Sequence, residues 1–150
     1  MMSEIEVVSL CDDLIPEAAH LLSRYVNPDD TEGTKDENCR QVLKRFLANA
    51  WAHFWVTRIE GRCAGFISLA WSVSTSTGLP VLRVEGLYTL PGYRRRGVAT
   101  VLLNQAAELA RSRGANRLQL ETDTDNPARR LYERLGFEWF QSKEVYMRFL

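Results

Sequence analysis

The chain has 150 residues, 45% of them hydrophobic, so its length fits one domain with a substantial core. Nineteen basic residues balance nineteen acidic ones, so no net charge draws the chain to nucleic acid or to a membrane surface. Three widely spaced cysteines, Cys11, Cys39 and Cys63, form no CxxC pair, which argues against a disulfide framework and a metal site. No stretch reads as a secretory leader or a transmembrane segment. We therefore expect one domain over residues 1–150, located in the cytoplasm.

The first half of the chain predicts a strand, two helices and a hairpin. Apolar residues at helical spacing follow Asp12 and Asp13, which are candidate helix caps. An acidic segment at residues 27–37 separates the two helices, and Glu60-Gly61-Arg62 is typical of a tight turn. The predicted elements are a strand at residues 5–10, a helix reaching Tyr25, a second helix at 38–50, and hairpin strands at 54–59 and 63–71.

The second half alternates strands with helices and ends on two strands. A helix-forming pattern after Gly97 runs to Gly114, and a short helix begins at Pro127 and stops at Gly136. The predicted strands lie at residues 81–90, 117–121, 137–141 and 145–150. The element order is then βααβββαβαββ, which indicates a mixed α/β fold.

A cationic turn, YRRRGVAT at residues 93–100, joins a predicted strand to a predicted helix. The first amide groups of a helix lack internal partners and lie at the positive end of its dipole, so they can hold a phosphate. Arg94, Arg95 and Arg96 add positive charge. The turn is either a phosphate clamp, a small nucleic-acid patch or a solvated loop. Three basic residues without interleaved aromatics, on a neutral chain, disfavour nucleic acid.

The strand before this turn contains an irregularity. Side chains of a strand alternate between its two faces. Leu82 and Val84, at even positions, share one face, but the next apolar residue, Leu87, is at an odd position, which predicts a β-bulge near Glu85-Gly86. The bulge should bend this strand away from its parallel neighbour at residues 117–121. An amide-bearing ligand such as a pantetheine arm could then pair with the exposed strand edge at Leu87 and Thr89.

Two motifs resemble the signatures of the GNAT family of N-acetyltransferases. The (Q/R)xxGx(G/A) signature is present as residues 94–99, RRRGVA, and the LYexxGF signature as residues 131–137, LYERLGF. The resemblance implies a mostly antiparallel sheet whose bulged central strand is splayed from its parallel neighbour. It implies acetyl-CoA as acyl donor, and no metal. The cofactor-binding residues expected from the match are Leu87, Tyr88, Thr89, Arg94, Arg95, Arg96, Gly97, Val98, Ala99, Thr100 and Asn126.

Residues 65–99 look most like the diamine acetyltransferase branch, which has the sequence LEDL before the cofactor turn. Gly86 replaces the aspartate of LEDL, so only the carboxylate of Glu85 remains. The asparagine usual seven residues before the signature tyrosine is here Asn126, six before Tyr132, with Asp125 at the usual spacing. Either side chain is a candidate cap for the last helix.

Glu85 and Tyr132 are the candidate catalytic residues. An alkylammonium group has a pKa near 10.4, so a neutral amine at pH 7 costs roughly 4–5 kcal/mol unless a base assists. Glu85, with a pKa raised by burial, could be that base, or a solvated carboxylate paired with Arg83 or Arg117. Tyr132 could protonate the departing thiolate, or be a core tyrosine at a helix end. Backbone amides near residues 87–89 could stabilise the oxyanion.

The favoured function is transfer of acetyl from acetyl-CoA to a primary amine of a small, polyamine-like or amino-acid-like molecule, by direct attack on the thioester. The alternatives are a protein or peptide N-acetyltransferase and a non-catalytic acyl-CoA-binding sensor. The acidic segment at residues 29–37 suggests a cationic acceptor. Neither nucleic acid nor membrane is an expected partner, and the C-terminal strands favour a homodimer.

Overall fold

A five-stranded sheet forms the framework of the molecule, with the strands in sequential order. The computed structural model describes residues 4–30 and 35–150. The strands are β1 (Glu6–Ser9), β2 (Ala52–Ile59), β3 (Arg62–Val73), β4 (Pro80–Thr89) and β5 (Arg117–Leu120). Neighbours pair antiparallel except β4 and β5, which are parallel. The mixed α/β class and the mostly antiparallel sheet are therefore confirmed.

Helices cover both faces of the sheet. The described helices are α1 (Ile15–Val26), α2 (Asp36–Ala48), α3 (Val98–Ser112) and α4 (Arg129–Arg134), with 3-10 turns at Asp12–Leu14 and Pro91–Tyr93. The apolar sides of α1 and α2 pack on one face against Phe54, Val56 and Phe66. Helix α3 packs on the other face against Ile67 and Leu69. Successive strand residues point to opposite faces, so β2 and β3 supply side chains to both cores.

The predicted hairpin is confirmed, because β2 and β3 pair across Glu60 and Gly61. Both turn residues adopt left-handed backbone angles, with φ of 52° and 78°. The predicted caps of α1 are wrong: Asp12 and Asp13 lie in a 3-10 turn whose side chains make no capping bond, and α1 begins at Ile15.

The acidic segment is only partly described. Helix α2 begins at Asp36, so Asp36 and Glu37 lie in its first turn, where negative charge complements the helix dipole. The carboxylate of Asp30 accepts a hydrogen bond from the Lys35 backbone at 2.9 Å. Glu32, which contributed to the predicted acidic charge, lies outside the described residues.

The two predicted C-terminal strands, at residues 137–141 and 145–150, are wrong. No residue after β5 joins the sheet among those described, so the order is βααβββαβα. A strand requires a neighbouring edge for its backbone groups, and strand-like sequence alone does not supply one. Residues 138–150, here called the C-terminal tail, are exposed throughout.

Two further properties concern the chain as a whole. Within residues 4–30 and 35–150, no helix is both long and apolar enough to cross a membrane. The cysteines are free thiols, with Cys11 exposed and Cys39 and Cys63 buried. Burial, together with the neighbouring carboxylate of Glu17, raises the pKa of the Cys63 thiol to about 12. Cys63 is therefore an uncharged core residue at neutral pH.

Candidate cofactor and active site

The predicted bulge lies at Glu85. Ser68 of β3 faces Gly86, whereas the adjacent Leu69 faces Val84, which leaves Glu85 as the extra residue. Because the extra residue shifts the alternation by one, Leu82, Val84 and Leu87 all point to the same face and pack in the core beneath α3. The slipped alternation in the sequence therefore located the bulge correctly.

The bulge opens a gap between β4 and β5. The two strands pair from Val81 opposite Arg117 as far as Val84 opposite Leu120, and the register ends there. Beyond this point β4 continues to pair with β3 on its other side. The splayed central strand is thus a feature of this molecule, as the sequence predicts.

The direction of the backbone groups lining the gap follows from one hydrogen bond. The amide of Leu90 donates to the carbonyl of Ala64 at 2.8 Å, so Leu90 faces β3. Backbone groups alternate sides along a strand, so Tyr88 also faces β3, whereas Leu87 and Thr89 face the gap. The Thr89 carbonyl accordingly accepts a bond from Arg94 Nε at 3.2 Å, away from β3. The edge predicted for a ligand's amides therefore consists of the backbone groups of Leu87 and the amide of Thr89, while the Thr89 carbonyl is bonded to Arg94.

Two glycines allow close packing around this part of β4. A Cβ on Gly65 would lie 2.5 Å from the Tyr88 carbonyl oxygen and 2.9 Å from Val98 Cγ1, so only glycine lets the start of α3 approach. A Cβ on Gly86 would lie 2.9 Å from Ser68 Oγ and 3.4 Å from Phe66 Cε1. The aspartate that Gly86 replaces would therefore require its neighbours to move.

The cationic turn lies at the open end of the gap and leads into α3. Arg95 and Gly97 have positive φ angles of 65° and 86°, and Gly97 is the helix N-cap without any side-chain capping bond. The first helical bond to Gly97 comes from the amide of Val101, so the amides of Val98, Ala99 and Thr100 precede the helical ladder. Such a left-handed turn before a helix forms an anion-binding concavity.

The three arginines of the turn have different surroundings. Arg94 ties the turn to the end of β4 through the Thr89 carbonyl. The Arg96 guanidinium lies 5.3 Å from the centre of the Tyr93 ring, and Arg95 and Arg96 are both exposed. All seven predicted turn residues, Arg94 to Thr100, are therefore contiguous at one end of the gap.

Glu85 is placed at the bulge but is not buried. Its side chain is 48% exposed, and its carboxylate lies 3.4 Å from Arg83 Nε. Arg83 also bonds Glu121 at 3.0 Å, just after β5, so one cation bridges two carboxylates across the strands. The expected burial is wrong, because the bulge directs this side chain outward. Of the two expected partners, Arg83 is the one that pairs with it.

Tyr132 lies on α4 and packs against the α3 core, with its ring 6.0 Å from Phe137. Burial raises the pKa of its hydroxyl above the ordinary value, a hydrogen bond with Thr122 acts in the opposite direction, and nearby Tyr25 adds a smaller upward effect. The phenol is therefore fully protonated at neutral pH, as a proton donor must be.

Asn126 and Thr122 form a short network behind Tyr132. The Asn126 side-chain amide donates to Thr122 Oγ1 at 2.7 Å, and its oxygen accepts from the Ala128 backbone at 2.9 Å. Asn126, and not Asp125, thus closes the turn that precedes α4. The prediction that either side chain caps the helix itself is wrong, because the N-cap is Ala128 and no side chain makes a capping bond there. The sequence reasoning missed Thr122, since only the fold brings it against Tyr132.

Aromatic side chains surround Gly86 on the face covered by α1 and α2. The Tyr25 ring lies 5.3 Å from Phe66 and 5.8 Å from Tyr88, in edge-on contacts. A Cβ on Gly86 would be 3.7 Å from the Tyr25 hydroxyl oxygen. Tyr25 thus approaches the bulge from α1, and it is close enough to Tyr132 on α4 to raise the pKa of that hydroxyl. Nothing in the sequence distinguishes Tyr25 except its place at the end of a predicted helix.

Comparison with known proteins agrees with this geometry. A family model described as the acetyltransferase (GNAT) family matches residues 15–137. The chain is 30% identical to a thialysine N-epsilon-acetyltransferase of Caenorhabditis elegans, over 91% of this chain and 84% of that protein. It is 38% identical to a streptothricin acetyltransferase of Streptomyces lavendulae over 52% of this chain, and spans only 40% of that protein's length.

A solved structure described as a probable acetyltransferase has a TM-score of 0.84 to this fold, with 25% identity over 97% of both chains. The family match covers most of the chain, including both signatures, the bulge and the turn. The chain therefore belongs to the GNAT family of acetyltransferases.

Proposed function

We propose that this protein transfers an acetyl group from acetyl-CoA to a primary amine of a small molecule. The observation that carries the proposal is the end of β4–β5 pairing at Val84, with the cationic turn at the open end of the resulting gap. Free backbone groups in the gap suit the amides of a pantetheine arm, and the helix start suits a pyrophosphate. Family membership supports acetyl-CoA as the donor.

The proposed cofactor contacts divide into three groups. Leu87 and Thr89 offer gap-facing backbone groups to the pantetheine amides, and Tyr88 lies between them on β4. The amides of Gly97, Val98, Ala99 and Thr100 hold phosphate oxygens, with Arg95 and Arg96 neutralising charge. Arg94 and Asn126, whose side chains make contacts within the protein, shape the turn and the start of α4.

The proposed chemistry is direct attack on the thioester that acetyl-CoA supplies. Glu85, acting through a water, accepts the proton that the amine must lose, and backbone amides near Leu87 to Thr89 stabilise the oxyanion. When the carbon–sulfur bond breaks, the Tyr132 hydroxyl donates its proton to the thiolate. Tyr132 enters the reaction protonated, since its pKa lies above the ordinary value near 10.

The acceptor is proposed to be a small cationic amine, as in the diamine acetyltransferase branch. Aromatic faces attract ammonium groups, and Tyr25 and Tyr88 lie beside the bulge. Asp29 and Asp30 follow α1 closely and add negative charge on this side. The Caenorhabditis elegans relative is named for acetylating the ε-amine of thialysine, which is an acceptor of this class. A peptide amine remains the alternative acceptor.

A non-catalytic acyl-CoA sensor is a second candidate function. Its motivation is the missing carboxylate at Gly86 together with the outward, ion-paired position of Glu85. Both candidates bind CoA, so binding alone does not separate them.

A thiol-release assay separates them. The protein is incubated with acetyl-CoA and, in turn, polyamines, amino acids, aminoglycosides and N-terminal peptides, and free thiol is followed. Thiol release that depends on a small amine supports the enzyme. Thiol release only with peptides would show that the acceptor is a peptide amine and not a small molecule. No acceptor-dependent release across the panel favours the sensor.

We also propose that residues 1–150 act as one domain, in the cytoplasm and as a homodimer. The free thiols are compatible with a reducing compartment.

A further inference from the structure

A cleft lies where β1 ends, at the edge of the sheet opposite to β5. The amide of Leu10 donates to the carbonyl of Phe54 at 2.8 Å, and the chain then leaves the sheet. The first residues of β2 consequently pair with β3 and have no strand on their other side among the described residues. The amide of Ala52 donates to the Asn49 carbonyl at 3.2 Å, which brings the end of α2 to the same place. These three chain ends enclose a volume of about 150 Å³.

The lining of this cleft is aromatic and uncharged. Three aromatic rings and three polar side chains line it together with aliphatic groups, and they are Phe46, Phe54, Trp55, Ser9, Asn49 and His53. No Asp, Glu, Lys or Arg belongs to the lining in the part of the chain that the structure describes. A ligand with a net charge would lose its hydration there without gaining an oppositely charged partner. The lining therefore favours an uncharged ligand.

The three polar side chains have hydrogen-bonding groups available for a ligand. Within residues 4–30 and 35–150, the side chains of Ser9 and Asn49 make no hydrogen bond. His53 Nε2 accepts from Trp71 Nε1 at 2.9 Å, which places the proton of the neutral ring on Nδ1. Burial, with a smaller effect of Arg113, lowers the pKa of His53, so the ring is neutral at pH 7. Its Nδ1–H is thus a donor with no partner among the described residues.

Two stacked rings separate the cleft from the proposed reaction site. Phe54, which forms one wall, stacks on Phe66 with ring centres 4.9 Å apart and planes inclined by 15°. Both rings are buried, with exposures of 4% and 1%. On its other side, Phe66 Cε1 lies 3.4 Å from the Cβ position of Gly86 at the bulge. The cleft is therefore a separate site, and its occupant does not take the place of an amine acceptor.

We propose that this cleft binds an uncharged aromatic carboxamide with a single ring. A cavity of about 150 Å³ accommodates one benzene-sized ring, so a second fused ring does not fit. The carboxamide oxygen accepts from His53 Nδ1–H, and the carboxamide N–H groups donate to Asn49 or to the last carbonyls of α2, which lack helical partners. The ring packs between the aromatic walls. The proposed site does not depend on the proposed reaction.

Titration of the full chain with benzamide, without acetyl-CoA or an amine acceptor, is the first test. In NMR spectra, the amide signals of Asn49, His53 and Trp55 should shift with a Kd below about 1 mM, whereas those of Leu87 and Tyr88 at the proposed reaction site should not. Benzoate and benzylamine have the same ring but a net charge, and should bind at least about tenfold more weakly. Equal affinity for the three compounds, shifts confined to the bulge, or no shift overturns the proposal.

Filling the cleft is the second test. Ala52 lines the cleft, so Ala52→Phe should reduce the affinity for benzamide at least about tenfold. Gln105→Phe adds the same ring on the exposed side of α3, and as the matched control it should bind like the wild type. A folded Ala52→Phe variant with wild-type affinity contradicts the site.

A change of charge without a change of packing tests the site independently of Ala52→Phe. Asn49→Asp introduces a carboxylate into the lining, so the affinity for benzylamine relative to benzamide should rise about two- to fivefold. Asn104→Asp makes the same change on the exposed side of α3 and should leave this ratio unaltered. An unaltered ratio in Asn49→Asp would place both compounds elsewhere. Because none of these measurements involves acetyl transfer, their outcome is distinct from that of the proposed function.

Discussion

Replacing Gly65 with alanine should disrupt the junction of β3, β4 and α3 that shapes the gap. The added Cβ would lie 2.5 Å from the Tyr88 carbonyl oxygen, a backbone atom that cannot turn aside, and 2.9 Å from Val98 at the start of α3. Overpacking of this kind costs about 1–3 kcal/mol. For a domain of this size, each kcal/mol lowers Tm by about 2–4 °C, so we expect a decrease of about 2–12 °C.

The same substitution should weaken CoA binding, because moving Val98 moves the first amides of α3. We expect about a tenfold loss in affinity, or about 1.4 kcal/mol, by isothermal titration calorimetry. Gly92→Ala is the control: Gly92 lies in the adjacent 3-10 turn, has no positive φ, and has no atom within 4 Å of its Cβ position. Its effect should stay below about 0.5 kcal/mol. If Gly65→Ala matches Gly92→Ala in both Tm and affinity, the reasoning about this junction is wrong.

Four other predictions concern protons. Tyr132→Phe should lower kcat about 100-fold, as expected for loss of a general acid, while CoA affinity changes less than about twofold; an unchanged kcat removes Tyr132 from the mechanism. Thr122→Val should raise the pKa of Tyr132 further, seen by ultraviolet difference titration, because it deletes the hydrogen bond that lowers it; an unmoved titration refutes the contact. Glu85→Gln should flatten the acid limb of kcat/KM against pH, and a wild-type profile would exclude Glu85 as base. Burial, with a smaller effect of Arg113, lowers the pKa of His53, whose Nε2 accepts from Trp71 at 2.9 Å. Below about pH 6.5 the unfolded chain then binds a proton that the folded chain resists, so the free energy of unfolding decreases as the pH is lowered. The Tm of the wild type should therefore decrease on acidification, and His53→Gln should make this decrease smaller. An equal decrease in both proteins would refute the assignment.

The features that the sequence predicted well depend on neighbours along the chain. The change of side-chain alternation between Val84 and Leu87 is a local property of one strand. It predicted a bulge near Glu85-Gly86, and the extra residue is Glu85. The turn at Gly97 and the hairpin at Gly61 are likewise set by the backbone freedom of single glycines. Local chemistry of this kind is present in the sequence itself.

The predictions that failed concern features that depend on partners distant in the sequence. Residues 145–150 have the alternation of a strand, but pairing requires an edge that the chain does not bring to them. The exposure of Glu85 follows from the direction in which the bulge turns the side chain, and pattern alone does not give that direction. Tyr25 is far from Gly86 and from Tyr132 along the chain, and only the fold brings it near them. Likewise, only the fold brings the side chain of Thr122 to the Tyr132 hydroxyl.

The most direct test of the proposed site is residue-level amide exchange with and without acetyl-CoA, measured by NMR. The gap-facing amides of Leu87 and Thr89 and the first α3 amides, Val98 to Thr100, should exchange more slowly when the ligand is bound. The amide of Tyr88, which faces β3, should change little, and serves as the internal control. Slower exchange at the turn alone would reduce the site to a phosphate-binding helix start. No change at Leu87, Thr89 or the turn would contradict the assignment of this gap to acetyl-CoA.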